Sequence, residues 1–211
     1  MFMVWLAIPG GHGILKAKGI IQDLDFWPFW LGEELQADGI DVNVWTFGYI
    51  APRSKYSGQG MSLFDQASNL LKYLDIKGIG TRPLIFVTHT MGGLVVKEVI
   101  NTAQNFYHKE VFIEQTKGIV FLSTPHQGSY LADFIDKFDV LTRTTVNVKE
   151  LKAHTSQLSK LNEWYTENVE KLGIKTEVFY ETQSIKGVLV VDRDSANPGI
   201  QGVISNPVAS V

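Results

Sequence analysis

The run Thr88-His89-Thr90-Met91-Gly92-Gly93 sets a hydroxyl between two very different stretches of chain. Before it, Leu84-Ile85-Phe86-Val87 reads as a strand buried on both faces. After it, residues 92–106 have the spacing of a helix. A strand that turns straight into a helix strains the residue at the turn and lifts its side-chain oxygen above the sheet. That is how a hydroxyl nucleophile for acyl transfer is held. Thr90 is the expected nucleophile. Its β-methyl crowds the turn and stiffens χ1, which works against attack geometry. Gly92 and Gly93 leave room for the helix, whereas Thr88 stands where such turns usually carry glycine. The plain alternative is a strand, a turn and a helix without chemistry.

Two further segments carry polar groups at strand ends. Ile8-Pro9-Gly10-Gly11-His12-Gly13 follows the first apolar run. A glycine turn there can offer a backbone N–H to a developing oxyanion, together with the N–H that follows the nucleophile. The expected donors are Gly11 and Met91. Phe121-Leu122-Ser123-Thr124-Pro125-His126-Gln127-Gly128-Ser129 follows another buried run. His126 is expected to fix that loop by hydrogen bonding and not to serve as a base. His12 and His89 sit in motif turns. They are candidates for lining the substrate path, with loop fixing as the plainer role. Tyr130 and Phe134 are candidates for an acyl pocket. The aromatic group Phe26, Trp27, Phe29 and Trp30 fits either an apolar substrate or simple core packing.

Elements of two periods must position these groups. Strands are expected at residues 4–8, 42–47, 84–87, 119–122, 178–180 and 188–191, and helices over 28–37, 61–75 and 92–106. Residues 48–60 read as a loop. Residues 128–172 read as largely helical and more polar, a small cap over one edge of the sheet. Alternating strands and helices give an α/β fold with a mostly parallel central sheet flanked by helices. No repeat or linker divides the 211 residues, so a single domain over 1–211 is expected.

The composition has 45% apolar and 19% charged residues, enough for a buried core and too ordered a balance for wholesale disorder. The net charge of −3 gives no basic face for nucleic acid. With no cysteine, disulfides and thiolate metal sites are excluded, and an intracellular setting is expected. His and carboxylates do not cluster, so neither metal nor cofactor is expected. The N-terminal Met1–Pro9 lacks the marks of a signal peptide, and no apolar run approaches the ~20 residues of a membrane span. Peripheral contact with lipid stays open.

The elbow Thr88-His89-Thr90-Met91-Gly92-Gly93-Leu94-Val95-Val96-Lys97 resembles the Gly-His-Ser-Met-Gly-Gly-Leu-Val-Val-Lys of lipase-like α/β-hydrolases. These are relatives of GPI inositol-deacylase and of the mitochondrial serine-active-site protein that remodels phosphatidylglycerol. Trp45-Thr46-Phe47-Gly48-Tyr49, Ser123 to Ser129, Phe179 to Thr182 and Val190 to Ala196 resemble further blocks of the family, so the likeness spans nearly the whole chain. It implies the α/β-hydrolase fold, a lipid or other apolar ester as substrate, and serine in place of Thr90.

In that fold the nucleophile, acid and histidine follow one another along the chain. Glu181 is the expected acid, with Asp192 and Asp194 as alternatives. No histidine follows His154. The family pattern ends on an Asp-His pair that would fall just after Val211. The expectation is therefore a carboxylic-ester hydrolase, esterase, lipase or phospholipase-like, whose elbow and acid lie here and whose base lies beyond Val211. As given, such a chain would be impaired. The alternative is a non-catalytic pseudo-hydrolase that binds a ligand or partner, or an effector domain of a signalling protein.

Overall fold

The computed structural model describes residues 2–9, 27–49, 62–107, 109–126, 155–182 and 191–209. Six strands form one sheet: β1 (Phe2–Pro9), β2 (Val42–Tyr49), β3 (Leu84–His89), β4 (Thr116–Leu122), β5 (Lys175–Glu181) and β6 (Ser205–Val208). Their spatial order is β2-β1-β3-β4-β5-β6. β3, β4, β5 and β6 pair in parallel. β1 runs antiparallel to both of its neighbours, β2 and β3. Hence β2 points the same way as the other four, and one strand opposes five.

Five helices connect the strands: α1 (Trp27–Ala37), α2 (Leu63–Ile76), α3 (Gly92–Asn105), α4 (Glu110–Gln115) and α5 (Thr155–Asn168). Ser62 starts α2: its Oγ accepts the Asp65 N–H at 3.1 Å and donates to the Asp65 carboxylate at 2.7 Å. That satisfies one of the donors a helix start leaves open. The apolar stripe of α2, Ala67, Leu70, Leu71 and Leu74, is buried. α3 packs against α2 on one side, α5 on the other, and the sheet beneath. It is accordingly buried on nearly every face, from Gly92 to Ala103. Leu158, Leu161 and Tyr165 of α5 complete the core against Phe121 and Val178 of the sheet.

Several sequence expectations are corrected here. Val191 lies in a bend and not in a strand, and residues 188–190 are outside the described set. The last strand is instead Ser205–Val208, whose Asn-Pro pair carries no strand signal but is tolerated at a sheet edge. The short helix α4 was hidden between two longer elements. Within the supposed cap, α5 is the helix of the β4–β5 crossover and buries its apolar face in the main core. Residues 128–154, including Tyr130 and Phe134, are outside the described set.

Candidate active site

β3 buries Leu84, Phe86 and Thr88 on one face while Ile85 on the other is exposed, which corrects the expectation of burial on both faces, and its path ends in a reversal. Thr88 is fully buried and its hydroxyl donates to the Val120 carbonyl at 3.0 Å, which ties the strand end to β4. Thr90 then takes φ +53°. A β-branched residue in the left-handed region is strained by about 1–3 kcal/mol and persists only where its surroundings over-determine it. Here they do. The Thr90 N–H donates to the Leu122 carbonyl at 2.9 Å, and the Thr90 carbonyl accepts from the Gly93 N–H at 3.2 Å. The helix begins at Gly92, so Thr90 stands between strand and helix and belongs to neither.

Gly93 explains why the elbow demands small residues. A Cβ there would overlap the Thr124 side chain and come within 2.8 Å of the Phe121 ring. Helix and strand approach too closely for any larger residue.

Around Thr90 the described residues gather two polar partners. The Thr90 Oγ lies 3.0 Å from His89 Nδ1. On the far side of the same ring, His89 Nε2 lies 4.0 Å from a Glu181 carboxylate oxygen. Glu181 comes from the end of β5, two strands away, and parallel pairing brings both strand ends to one edge. The Glu181 backbone is held there by Ser123: its N–H donates to Ser123 Oγ at 3.3 Å. Ser123 is itself left-handed, at φ +47°, and its N–H donates to the Phe179 carbonyl at 2.8 Å. Sequence reasoning missed Ser123, although its place at a strand end beside Thr-Pro was a signal. The burial of His89 lowers its pKa from 6.5, and the Glu181 charge offsets part of that.

Met91 follows Thr90 as the residue that caps the start of α3, and its carbonyl accepts the Leu94 and Val95 N–H groups at 3.1 Å. Other expected residues fall elsewhere. Asp192 and Asp194 shape a turn: Asp192 Oδ1 accepts the Ser195 N–H at 2.8 Å, and the Asp194 carbonyl accepts the Asn197 N–H at 3.2 Å. Neither forms an ion pair with a histidine among the described residues. Gly11 and His12 lie outside the described residues. The register of β1 bears on them, because Ala7 pairs with Ile85 and Val4 with Thr88. β1 therefore delivers Pro9 to the sheet edge where β3 begins, opposite the elbow.

His126 lies behind the elbow, buried at 2% exposure. Its Nδ1 is 2.6 Å from Lys97 Nζ, and its ring meets Phe121 edge-on at 4.6 Å. The fully buried Lys97 also donates to Asn162 Oδ1 at 2.5 Å and lies over the rings of Phe121 and Tyr165. Burial pushes its pKa well below 10.5, and among the described residues no carboxylate pairs with it. Burial, with Lys97 beside it, likewise holds His126 well below 6.5. The backbone completes the frame: the His126 N–H donates to the Ser195 carbonyl at 2.8 Å, and Asn162 Nδ2 to the Pro198 carbonyl at 3.1 Å. These bonds tie α3, the 123–126 loop, α5 and the 191–200 segment together. His126 is thus a framework residue, remote in role from Thr90.

Among the described residues no group of three His, Cys, Asp or Glu side chains could hold a metal ion, and no helix is long and apolar enough to cross a membrane.

No family model matches the chain. Curated relatives do. Protein SERAC1 of Danio rerio is 31% identical over 202 residues, which cover 90% of this chain and 30% of that protein. Protein SERAC1 of Mus musculus is 32% identical over 157 residues, covering 72% of this chain and 24% of that protein. The human protein of the same name is 29% identical over 184 residues, with 84% and 28% covered. The chain spans less than a third of the length of these relatives. The chain is thus a relative of Protein SERAC1 over most of its own length, and its α/β sheet and strained strand–turn–helix elbow agree with the lipase-like α/β-hydrolases it resembles.

Proposed function

We propose that the chain hydrolyses or transfers the acyl group of a lipid or other apolar carboxylic ester, with the Thr90 hydroxyl as nucleophile and Glu181 as the acid. The observation that carries this reading is the left-handed Thr90 at the β3–α3 junction, with its hydroxyl on an imidazole that in turn faces Glu181. In acyl transfer the hydroxyl attacks the carbonyl, and backbone N–H groups stabilise the charge that forms on oxygen. The Met91 N–H, next after the nucleophile, is the donor at the start of α3, where the helix dipole favours negative charge. Gly11 is the second donor of the family pattern. The chemistry requires no metal or cofactor. Lipid as substrate rests on the family resemblance, as does peripheral contact with a membrane surface.

A second reading, a ligand- or partner-binding module without turnover, is favoured by one observation. Thr90 is only 7% exposed, and its methyl crowds the approach to its own oxygen. The two readings separate on p-nitrophenyl esters of graded acyl length. Turnover that Thr90→Ala abolishes supports the hydrolase. Binding of an ester analogue with no turnover, in wild type and in Thr90→Ser alike, supports the binding module.

A further inference from the structure

We infer that Ser123 is a positioning residue of this site: its hydroxyl stands in for a main-chain acceptor at the end of β4 and so fixes Glu181 relative to the elbow. The inference rests on the hydrolase reading above, in which Glu181 is the acid, and adds a residue that the reading does not use.

A line of hydrogen bonds crosses the ends of β3, β4 and β5 through residues 122 and 123. The Thr90 N–H donates to the Leu122 carbonyl at 2.9 Å, and the Ser123 N–H donates to the Phe179 carbonyl at 2.8 Å. In a regular parallel ladder the next bond would run from the Glu181 N–H to the Ser123 carbonyl. Here the acceptor is the Ser123 hydroxyl, at 3.3 Å. The cause is local. Ser123 takes φ +47°, so the chain turns out of β4 at this residue. β5 meanwhile runs on for two residues past its last pairing with β4, at Phe179, and ends on Glu181. The side chain bridges the gap that the departing main chain leaves.

Among the described residues, Thr90 and Ser123 are the two non-glycine residues with positive φ, and they end neighbouring strands. Glycine would hold this conformation at no steric cost. Serine holds it under strain, and strain of that kind gathers at functional sites. What serine supplies and glycine lacks is the hydroxyl on the Glu181 N–H. Ser123 is 6% exposed, so little water competes for that bond. Without it, the Glu181 main chain is paired among the described residues on the β6 side alone, opposite Val208. A carboxylate that orients a catalytic histidine must be held to within about 0.5 Å. Bonded on both sides, Glu181 presents its carboxylate from a fixed main chain, and the same two residues of β4 hold Thr90 by its N–H.

The test is a double-mutant cycle on the rate of covalent labelling by a fluorophosphonate, read by intact mass. It compares the full chain with Ser123→Ala, Ser123→Gly, Ser123→Thr and Glu181→Gln, and with Ser123→Ala and Glu181→Gln combined. Circular dichroism checks that each remains folded. Ser123→Gly suits the left-handed backbone, so it removes the hydroxyl without adding strain. The expected result is labelling slowed about 10-fold in Ser123→Ala and Ser123→Gly, and about 100-fold or more in Glu181→Gln. Ser123→Thr keeps the hydroxyl and is expected to retain most of the rate. The combined variant should label no slower than Glu181→Gln alone, because no carboxylate remains to be positioned. A serine that only stabilises its loop would slow labelling by the same factor with or without that carboxylate. The NMR titration of His89 gives a second readout, since the Glu181 charge raises its pKa. That pKa is expected to fall in Ser123→Gly, toward its value in Glu181→Gln. Additive slowing, labelling of the Ser123 variants at the wild-type rate, or an unmoved His89 titration overturns the inference while the hydrolase reading stands. If no form labels, or Glu181→Gln labels as fast as wild type, the acid assignment fails and the inference fails with it.

Discussion

At the scale of single residues, the site turns on one methyl group and one missing one. The Thr90 methyl costs the hydroxyl proposed as nucleophile conformational freedom in a turn already held at φ +53°. Replacing it with serine relieves about 1–2 kcal/mol of crowding, so Thr90→Ser is expected to label with a fluorophosphonate about tenfold faster than wild type. Equal or slower labelling would mean that the methyl does not restrict attack. Gly93 shows the reverse constraint, since the added Cβ of alanine meets Thr124 and Phe121. Gly93→Ala is expected to lower stability in urea titration by about 1–3 kcal/mol, despite its better helix propensity. Both residues were legible in the sequence, because a buried strand, a hydroxyl and paired glycines are all local. His89 was visible as a motif residue, but its contact with the Thr90 hydroxyl was not, since nothing in a sequence tells which way a ring faces. Ser123 was visible only as a hydroxyl at a strand end, and Lys97 was not legible at all. A lysine on a helix reads as solvent-facing, and only the packing of α3 between α2, α5 and the sheet takes it out of water.

Elements set which strand ends share an edge. Parallel pairing of β3, β4 and β5 brings Thr90, Ser123 and Glu181 to one edge, although 91 residues separate the first from the last. The strand pattern was largely readable from apolar runs, and Glu181 followed from its place at the end of one. Strand direction was not readable, because an apolar run has no arrow. The antiparallel β1 carries Pro9 to the edge where β3 begins. Gly11→Pro, which deletes the N–H of the second donor in the family pattern, should slow the labelling of Thr90 by about 100-fold. A rate unchanged within a factor of about two would mean that Gly11 does not serve as that donor. β6 was missed for a different reason: Ser-Asn-Pro-Val owes its pairing to β5, not to any propensity of its own.

For the whole molecule, the buried Lys97–His126–Asn162 network is the link between the helices and the C-terminal segment, and it gives stability a defined pH dependence. The folded pKa of Lys97 lies well below 10.5 and that of His126 well below 6.5. Between each folded value and the ordinary one, the unfolded chain holds a proton that the folded chain does not. Stability therefore rises with pH through both windows and is lost as pH falls through them. Thermal melts are expected to show a midpoint that falls steadily from pH 9 to pH 5. Lys97→Met removes the larger window, so its midpoint should change less between pH 9 and pH 7 than that of wild type. A wild-type midpoint that rises as pH falls would show that the two groups are charged inside the fold. The same network buries the loop before His126, which keeps Ser123 against Glu181 and so couples core packing to the site.

All of this depends on a reactive oxygen at the junction of β3 and α3. The most direct measurement is peptide mapping after treatment of the wild-type chain and its Thr90→Ser variant with a fluorophosphonate. The expected result is a single adduct on the peptide that contains residue 90, stronger for serine and missing after Thr90→Ala. An adduct at another residue, or one that persists in Thr90→Ala, would contradict it.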